Sequence, residues 1–118
     1  MSKDNTPKDI TRIRYSDQEM RSISGDEWIL SESMEAHWHS FIEIDIVTDG
    51  EGEQIINGER VKLERGVITI IRPTDWHSIN VISPIGFTHV AFDERLLSSE
   101  IREALFRYAN NLYFQSGY

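Results

Sequence analysis

Between Thr11 and Phe92 the apolar residues come in short runs, many of them on alternate positions, and the breaks between runs are filled by Gly, Asn, Asp, Ser and Pro. Period-two alternation is the signature of strands with one buried face. It predicts strands near 11–15, 19–24, 28–34, 37–48, 52–57, 60–64, 67–72, 77–82 and 86–92. The sharpest local signal is Asn57-Gly58 between Ile55-Ile56 and Val61, because both residues accept the positive φ that a two-residue type I′ hairpin requires. Gly50 and Gly52 around Glu51, Pro73-Thr74-Asp75 and Ser83-Pro84 predict further turns. Many short strands joined by close turns predict an all-β sandwich or barrel.

After Asp93 the period changes. Ile101, Ala104, Leu105, Tyr108, Ala109 and Leu112 recur at three- and four-residue steps, predicting an amphipathic C-terminal α-helix. Asp93 is placed to cap a first short turn. Ser98 or Ser99 is placed to cap the longer helix, with Glu100 and Glu103 near its positive end. Residues 1–9 have no apolar residue after the initiator and read as a flexible tail. Residues 111–118 contain Asn-Leu-Tyr-Phe-Gln-Ser-Gly, which resembles a viral protease site used to remove purification tags. Asn110 stands where that site ordinarily begins with glutamate. These residues are read as either such a remnant or a native extension, and no function is assigned to them.

The chain has 118 residues, one domain's worth, and carries no cysteine, which excludes disulfides, thiolate zinc sites and cysteine nucleophiles. Its formal charge of −8 argues against direct binding to nucleic acid, which needs a basic face. No apolar stretch approaches the roughly 18–20 residues of a membrane span, and the N-terminal residues lack the apolar run of a signal peptide. A cytoplasmic setting with no membrane partner is expected. Serine-triad chemistry lacks its Gly-x-Ser-x-Gly elbow, and no glycine-rich phosphate loop follows a strand.

The chemistry concentrates on histidines. His37, His39, Phe41, Glu43 and Asp45 share one parity, so an extended strand places them on one face, with Trp38, Ile42, Ile44 and Ile46 opposite. Same-face neighbours lie ~7 Å apart at Cα, so imidazoles at i and i+2 can converge on one ion. Glu43 would stand ~13 Å from His39 on a straight strand and needs a bend near Ser40–Ile42 to join them. His77, just past the Pro73 turn, is a third imidazole. His89 reads as an ordinary strand residue, and Asp49, Glu51 and Glu53 read as a solvated acidic face.

The spacing His37-x-His39-x3-Glu43-x6-Gly50 resembles the first motif of the cupin superfamily, G-x5-H-x-H-x(3,4)-E-x6-G. Gly66 and His77 match the second, G-x5-P-x-G-x2-H-x3-N. Ser31 replaces the opening glycine; Arg72 and Thr74 stand at the proline and inner-glycine places, and Val81 at the asparagine place. The flanking words Ile-Asn-Gly-Glu, Leu-Glu-Arg-Gly, Ile-Ile-Arg-Pro-Thr-Asp-Trp-His and Ala-Phe-Asp-Glu-Arg-Leu-Leu extend the likeness across residues 20–108. Together they resemble the N-terminal sensing domain of AraC-type bacterial transcriptional regulators.

That resemblance implies a double-stranded β-helix (cupin jelly roll) over residues 10–110, closed by the C-terminal α-helix. It implies His37, His39, Glu43 and His77 as ligands to one divalent metal ion, which softness leaves open among zinc, nickel, iron and manganese. An effector pocket is expected at Trp38, Phe41, Asp45, Arg72 and Trp76, holding a sugar or a small acid. The implied function is ligand sensing and homodimerisation, with DNA bound only through a helix-turn-helix domain outside this chain. The alternative is a stand-alone metal-dependent cupin enzyme of dioxygenase, isomerase or lyase type. A barrel serving only as an interaction module is a third reading.

Overall fold

Alternate inward and outward side chains wrap one continuous sheet into a jelly roll, with one α-helix among the described residues, near the C-terminal end. The computed structural model describes residues 11–13, 24–108 and 110–115. Its strands are β1 (Thr11–Ile13), β2 (Ser24–Leu30), β3 (Met34–His39), β4 (Ile42–Ile56), β5 (Glu59–Leu63), β6 (Val67–Ile71), β7 (Trp76–Phe92) and β8 (Leu112–Gln115). A 3-10 turn at Glu94–Leu96 and helix α1 (Ser99–Arg107) lie between β7 and β8. Strand order is β1-β3-β7-β4-β6-β8, with β2 also on β7 and β5 also on β4. All ladders are antiparallel except β1 on β3.

The two long strands β4 and β7 form the spine, and each replaces two strands that the turn residues had predicted. Gly50 does not open a loop. It sits at φ 85° where β4 shifts register against β7. A Cβ there would stand 1.9 Å from the Pro84 carbonyl oxygen and 2.7 Å from Ile85 Cα, so only glycine allows this backbone approach. Pro84 lies inside β7, at a place the β4 register skips between Ser83 and Gly86, where no ladder N–H is required of it. The Asn57-Gly58 hairpin forms as the sequence predicts, with φ of 50° and 87° and Ile56 paired to Glu59. Of the expected 19–24 strand only Ser24 is described; the remainder, like residues 1–9 and Ala109, lies outside the described residues.

The inward faces of the strands make a core of Val47, Ile56, Val61, Leu63, Val67, Ile71, Ile79, Ile85 and Phe87, flanked by Trp28, Leu30, Met34 and Val81. Each fully buried aliphatic side chain contributes about 1.5–3 kcal/mol. Helix α1 starts at the cap Ser98, whose hydroxyl accepts from Ile101 N, and it ends at Arg107, earlier than the apolar stripe predicts. Leu112 belongs to β8, which pairs with β6 (Ile70↔Leu112).

Candidate metal centre and effector cavity

The strand expected over 37–48 is broken: β3 stops at His39 and β4 begins at Ile42. The break supplies the bend that Glu43 needs. Its Oε1 lies 3.4 Å from His39 Nε2, and His77 joins from β7, paired with His37 on one side and Ile56 on the other. His39, Glu43 and His77, all buried, offer ligand atoms within 4.8 Å of one another. His37 stands beside them, its ring centroid 4.3 Å from that of His77 and 6.2 Å from that of His39.

Each imidazole is aimed by a partner on its other nitrogen. His37 Nδ1 donates to Glu35 O (2.7 Å) and His39 Nδ1 to Phe41 O (3.0 Å), because a carbonyl only accepts. His77 Nδ1 donates to Gln54 Oε1 (2.7 Å), and Gln54 Nε2 donates to Thr69 Oγ1 (3.2 Å). That fixes the tautomer with the lone pair on Nε2, the arrangement typical of histidine ligands. The Nε2 atoms of His39 and His77 are buried without a hydrogen-bond partner. Two orphaned lone pairs beside a buried carboxylate are costly among protein atoms alone, and a divalent cation satisfies all three. The donor set fits a divalent metal.

The electrostatics point the same way. Burial lowers the pKa of His77 to about 3, with His37 and His39 adding to the effect and Glu43 opposing it, so its ring is neutral at physiological pH. Burial works against ionising Glu43. The hydrogen bond with Asp45 leads the opposing effects, which together hold the carboxyl well below the usual range. Asp45 is pushed well above the usual range by burial and by the charge of Glu43.

A cavity of about 410 Å³ opens onto this cluster, lined by Asp26, Glu27, Trp28, Met34, His37, His39, Phe41, Glu43 and His89. Phe41, expected in the pocket, is there, its ring stacked 3.9 Å from His39. Asp45 lies behind the lining, accepting from His89 Nδ1 at 2.7 Å. Trp38, Trp76 and Arg72 do not line the cavity. Trp38 and Trp76 pair across β3 and β7 at odds with the face of His37 and His77.

Arg72 is buried elsewhere. Its Nε and Nη2 donate to Asp75 (2.9 and 3.2 Å), and its Nη1 and Nη2 reach the carbonyls of Leu105, Tyr108 and Asn110 (3.1, 2.8 and 3.2 Å). It ties the end of α1 to the β6–β7 turn, and its charge is spent there. Conversely, His89, read from sequence as an ordinary strand residue, borders the cavity beside Trp28. The signal for His89 was its parity with Phe87 and Ala91; what it lacked was a strand register to set it opposite Asp45.

A jelly roll with inward imidazoles and a carboxylate at these positions is the architecture of a cupin. A cupin protein from Bacteroides fragilis superposes with a TM-score of 0.53 at 26% identity, over 65% of this chain and 69% of that one. A predicted oxalate decarboxylase from Thermotoga maritima gives 0.52 at 25% identity, over 58% and 64%. Within that class the chain belongs to the AraC-like ligand binding domain family, whose model matches residues 25–114. The HTH-type transcriptional activators RhaS of Yersinia pestis and Yersinia pseudotuberculosis are 36% identical over 56 residues, 48% of this chain. The match spans about a fifth (20%) of those relatives' length. Among the described residues no helix is long and apolar enough to cross a membrane.

Proposed function

We propose that this domain is the effector-sensing and dimerising half of a cytoplasmic AraC-type transcriptional regulator, with a small molecule bound in the barrel cavity. The observation that carries the reading is the 410 Å³ cavity whose wall includes the imidazole–carboxylate cluster, in a chain of the AraC-like ligand binding family. Of the two effector classes expected, a neutral, hydroxyl-rich molecule such as a sugar suits the cavity better than a small acid. Asp26, Glu27 and Glu43 line it, and Arg72, the guanidinium expected to greet an anion, is engaged with Asp75. Trp28 and Phe41 offer apolar faces for a sugar ring.

His37, His39, Glu43 and His77 would hold one divalent ion, zinc, nickel, iron or manganese. When bound, the ion supplies a positive anchor for an effector oxygen. Gln54 and the carbonyls of Glu35 and Phe41 keep the three rings aimed. DNA is left to a helix-turn-helix domain outside this chain, and two copies pair through the exposed apolar surface of α1 and β8, where Ile101, Tyr108 and Phe114 are more than half exposed.

The test is calorimetric titration of metal-loaded domain with a panel of monosaccharides and of small carboxylic acids. Saturable binding of a sugar, abolished by filling the cavity with Met34→Trp, supports the proposal. Binding of acids alone would overturn the effector class. The cluster of ligating groups also keeps the enzyme reading alive. Turnover of a substrate by the metal-loaded domain, in a gene without helix-turn-helix units, would establish that reading in place of the regulator.

A further inference from the structure

Each imidazole of the cluster is held from behind: His37 by Glu35 O, His39 by Phe41 O, His77 by Gln54. The carboxylate has an equivalent support that the motif does not contain. Glu43 and Asp45 occupy successive inward positions of β4, and Asp45 is paired directly with His89 across the β4–β7 ladder. Asp45 is 2% exposed. It accepts from His89 Nδ1 at 2.7 Å, His89 Nδ1 stands 4.0 Å from Glu43 Oε1, and polar atoms of all three side chains lie within 4.8 Å of one another. The His89 ring is itself braced edge-on by Trp28, with centroids 5.7 Å apart.

We propose that Asp45 and His89 are positioning residues that fix the Glu43 carboxylate toward His39 and His77, so that the metal affinity of the site depends on a chain His89–Asp45–Glu43. The inference rests on the metal-centre reading above. A ligating carboxylate held by a hydrogen-bonded partner loses its freedom to rotate away when the site is empty, which is why such supports are worth 10–100-fold in affinity. The same three residues offer ligand atoms within 4.8 Å of one another and so present a second cation position on distance alone. Their chemistry is different from that of the first cluster. The lone pairs of His39 and His77 are orphaned, whereas His89 Nδ1 and Asp45 already satisfy each other at hydrogen-bond distance. A site whose donors are used up internally supports its neighbour rather than binding for itself.

The experiment is nickel(II) titration of chelator-stripped domain by calorimetry, with the thermal midpoint of the metal-free protein recorded in parallel. Asp45→Ala and His89→Phe are expected to weaken nickel binding about 10–100-fold at unchanged one-to-one stoichiometry. Asp45→Asn keeps the side chain's size and an acceptor for His89, and is expected to retain most of the affinity. The Asp45→Ala/His89→Phe double variant is expected to bind no worse than the weaker single, because the two act in one chain. If Asp45→Ala does not fold without metal, His89→Phe and Asp45→Asn carry the comparison. Unchanged affinity in the variants would overturn this inference alone. Two nickel ions per wild-type chain, or equal losses in Asp45→Asn and Asp45→Ala, would make Asp45 a ligand and overturn it too. A wild type that takes up no nickel would overturn the metal-centre reading and this inference with it.

Discussion

Replacing Arg72 by Met keeps the aliphatic stem and deletes the guanidinium, and it should be among the most damaging single changes in this domain. Arg72 and Asp75 are a buried ion pair, with side chains 4% and 0% exposed, joined at 2.9 and 3.2 Å. Arg72 also serves three main-chain carbonyls at Leu105, Tyr108 and Asn110. In Arg72→Met the Asp75 carboxylate keeps two donors, the residue 72 backbone N–H at 3.0 Å and Asn57 Nδ2 at 2.8 Å, but loses its countercharge. Leaving one partner of a buried pair uncompensated costs about 3–5 kcal/mol. That is a large share of the 5–15 kcal/mol a domain typically has. Asp75→Asn leaves the guanidinium its carbonyls, so it should cost less than Arg72→Met. The double variant should cost about 1–3 kcal/mol less than the sum of the singles. Urea unfolding followed by tryptophan fluorescence measures all three, with the slope on denaturant checking that unfolding stays two-state. An Arg72→Met loss below about 1 kcal/mol, or strict additivity in the double variant, would refute the clamp.

The same pair sets an acid limit. Burial works against ionising Asp75, but the hydrogen bonds and charge of Arg72 and the amide of Asn57 lower its pKa below 3.8. In the unfolded chain Asp75 therefore binds its proton first. The stability this adds is full above about pH 4 and is lost as pH falls through the folded value. Acid titration of stability should be shallower in Asp75→Asn than in wild type, and parallel curves would count against it. Gly50→Ala, forced to place Cβ 1.9 Å from the Pro84 oxygen at φ 85°, should cost at least about 2 kcal/mol. Gly58→Ala in the hairpin, at φ 87°, should cost nearer 1 kcal/mol. Thermal midpoints that rank the two the other way would show that the β4–β7 approach is softer than its backbone contacts indicate.

How much was legible in the sequence divides by range of interaction. Parity placed His37, His39, Glu43 and Asp45 on one face because that signal lives within a few residues, whereas His77, far along the chain, was joined to them through the resemblance to the second cupin motif. The Asn57-Gly58 hairpin was legible for the same reason. Arg72 was misplaced because its partner hides behind Pro73 at i+3, and because the carbonyls it serves lie more than 30 residues on. Gly50, Gly52 and Pro84 were read as turns because glycine and proline punctuate loops more often than they allow two long strands to cross a bulge. Strand β8 was passed over because its residues match a protease-site pattern; its pairing with β6 is nonlocal.

The bulge decides more than strand length. Ile56 pairs with His77, and if that register ran straight along β4 and β7, Asp45 would face Thr88. The shifts between Val47 and Gly52 set Asp45 against His89 instead. Along β7 His89 keeps the parity of the buried His77, Ile79, Ile85, Phe87 and Ala91, so it is β4 whose inward parity changes, from Gly52, Gln54 and Ile56 to Glu43, Asp45 and Val47. The glycines and Pro84 that make the shift sterically feasible are therefore what turn the carboxylate pair inward, opposite His89. A reading confined to local patterns sees two turns and an unremarkable histidine. The same residues, taken as a register device, link a backbone approach at Gly50 to the side chain behind Glu43. A substitution at Gly50 that leaves the barrel folded but straightens the register should thus cost the site the inward aim of Glu43 and Asp45, although the close contacts at Gly50 are to Pro84 and Ile85.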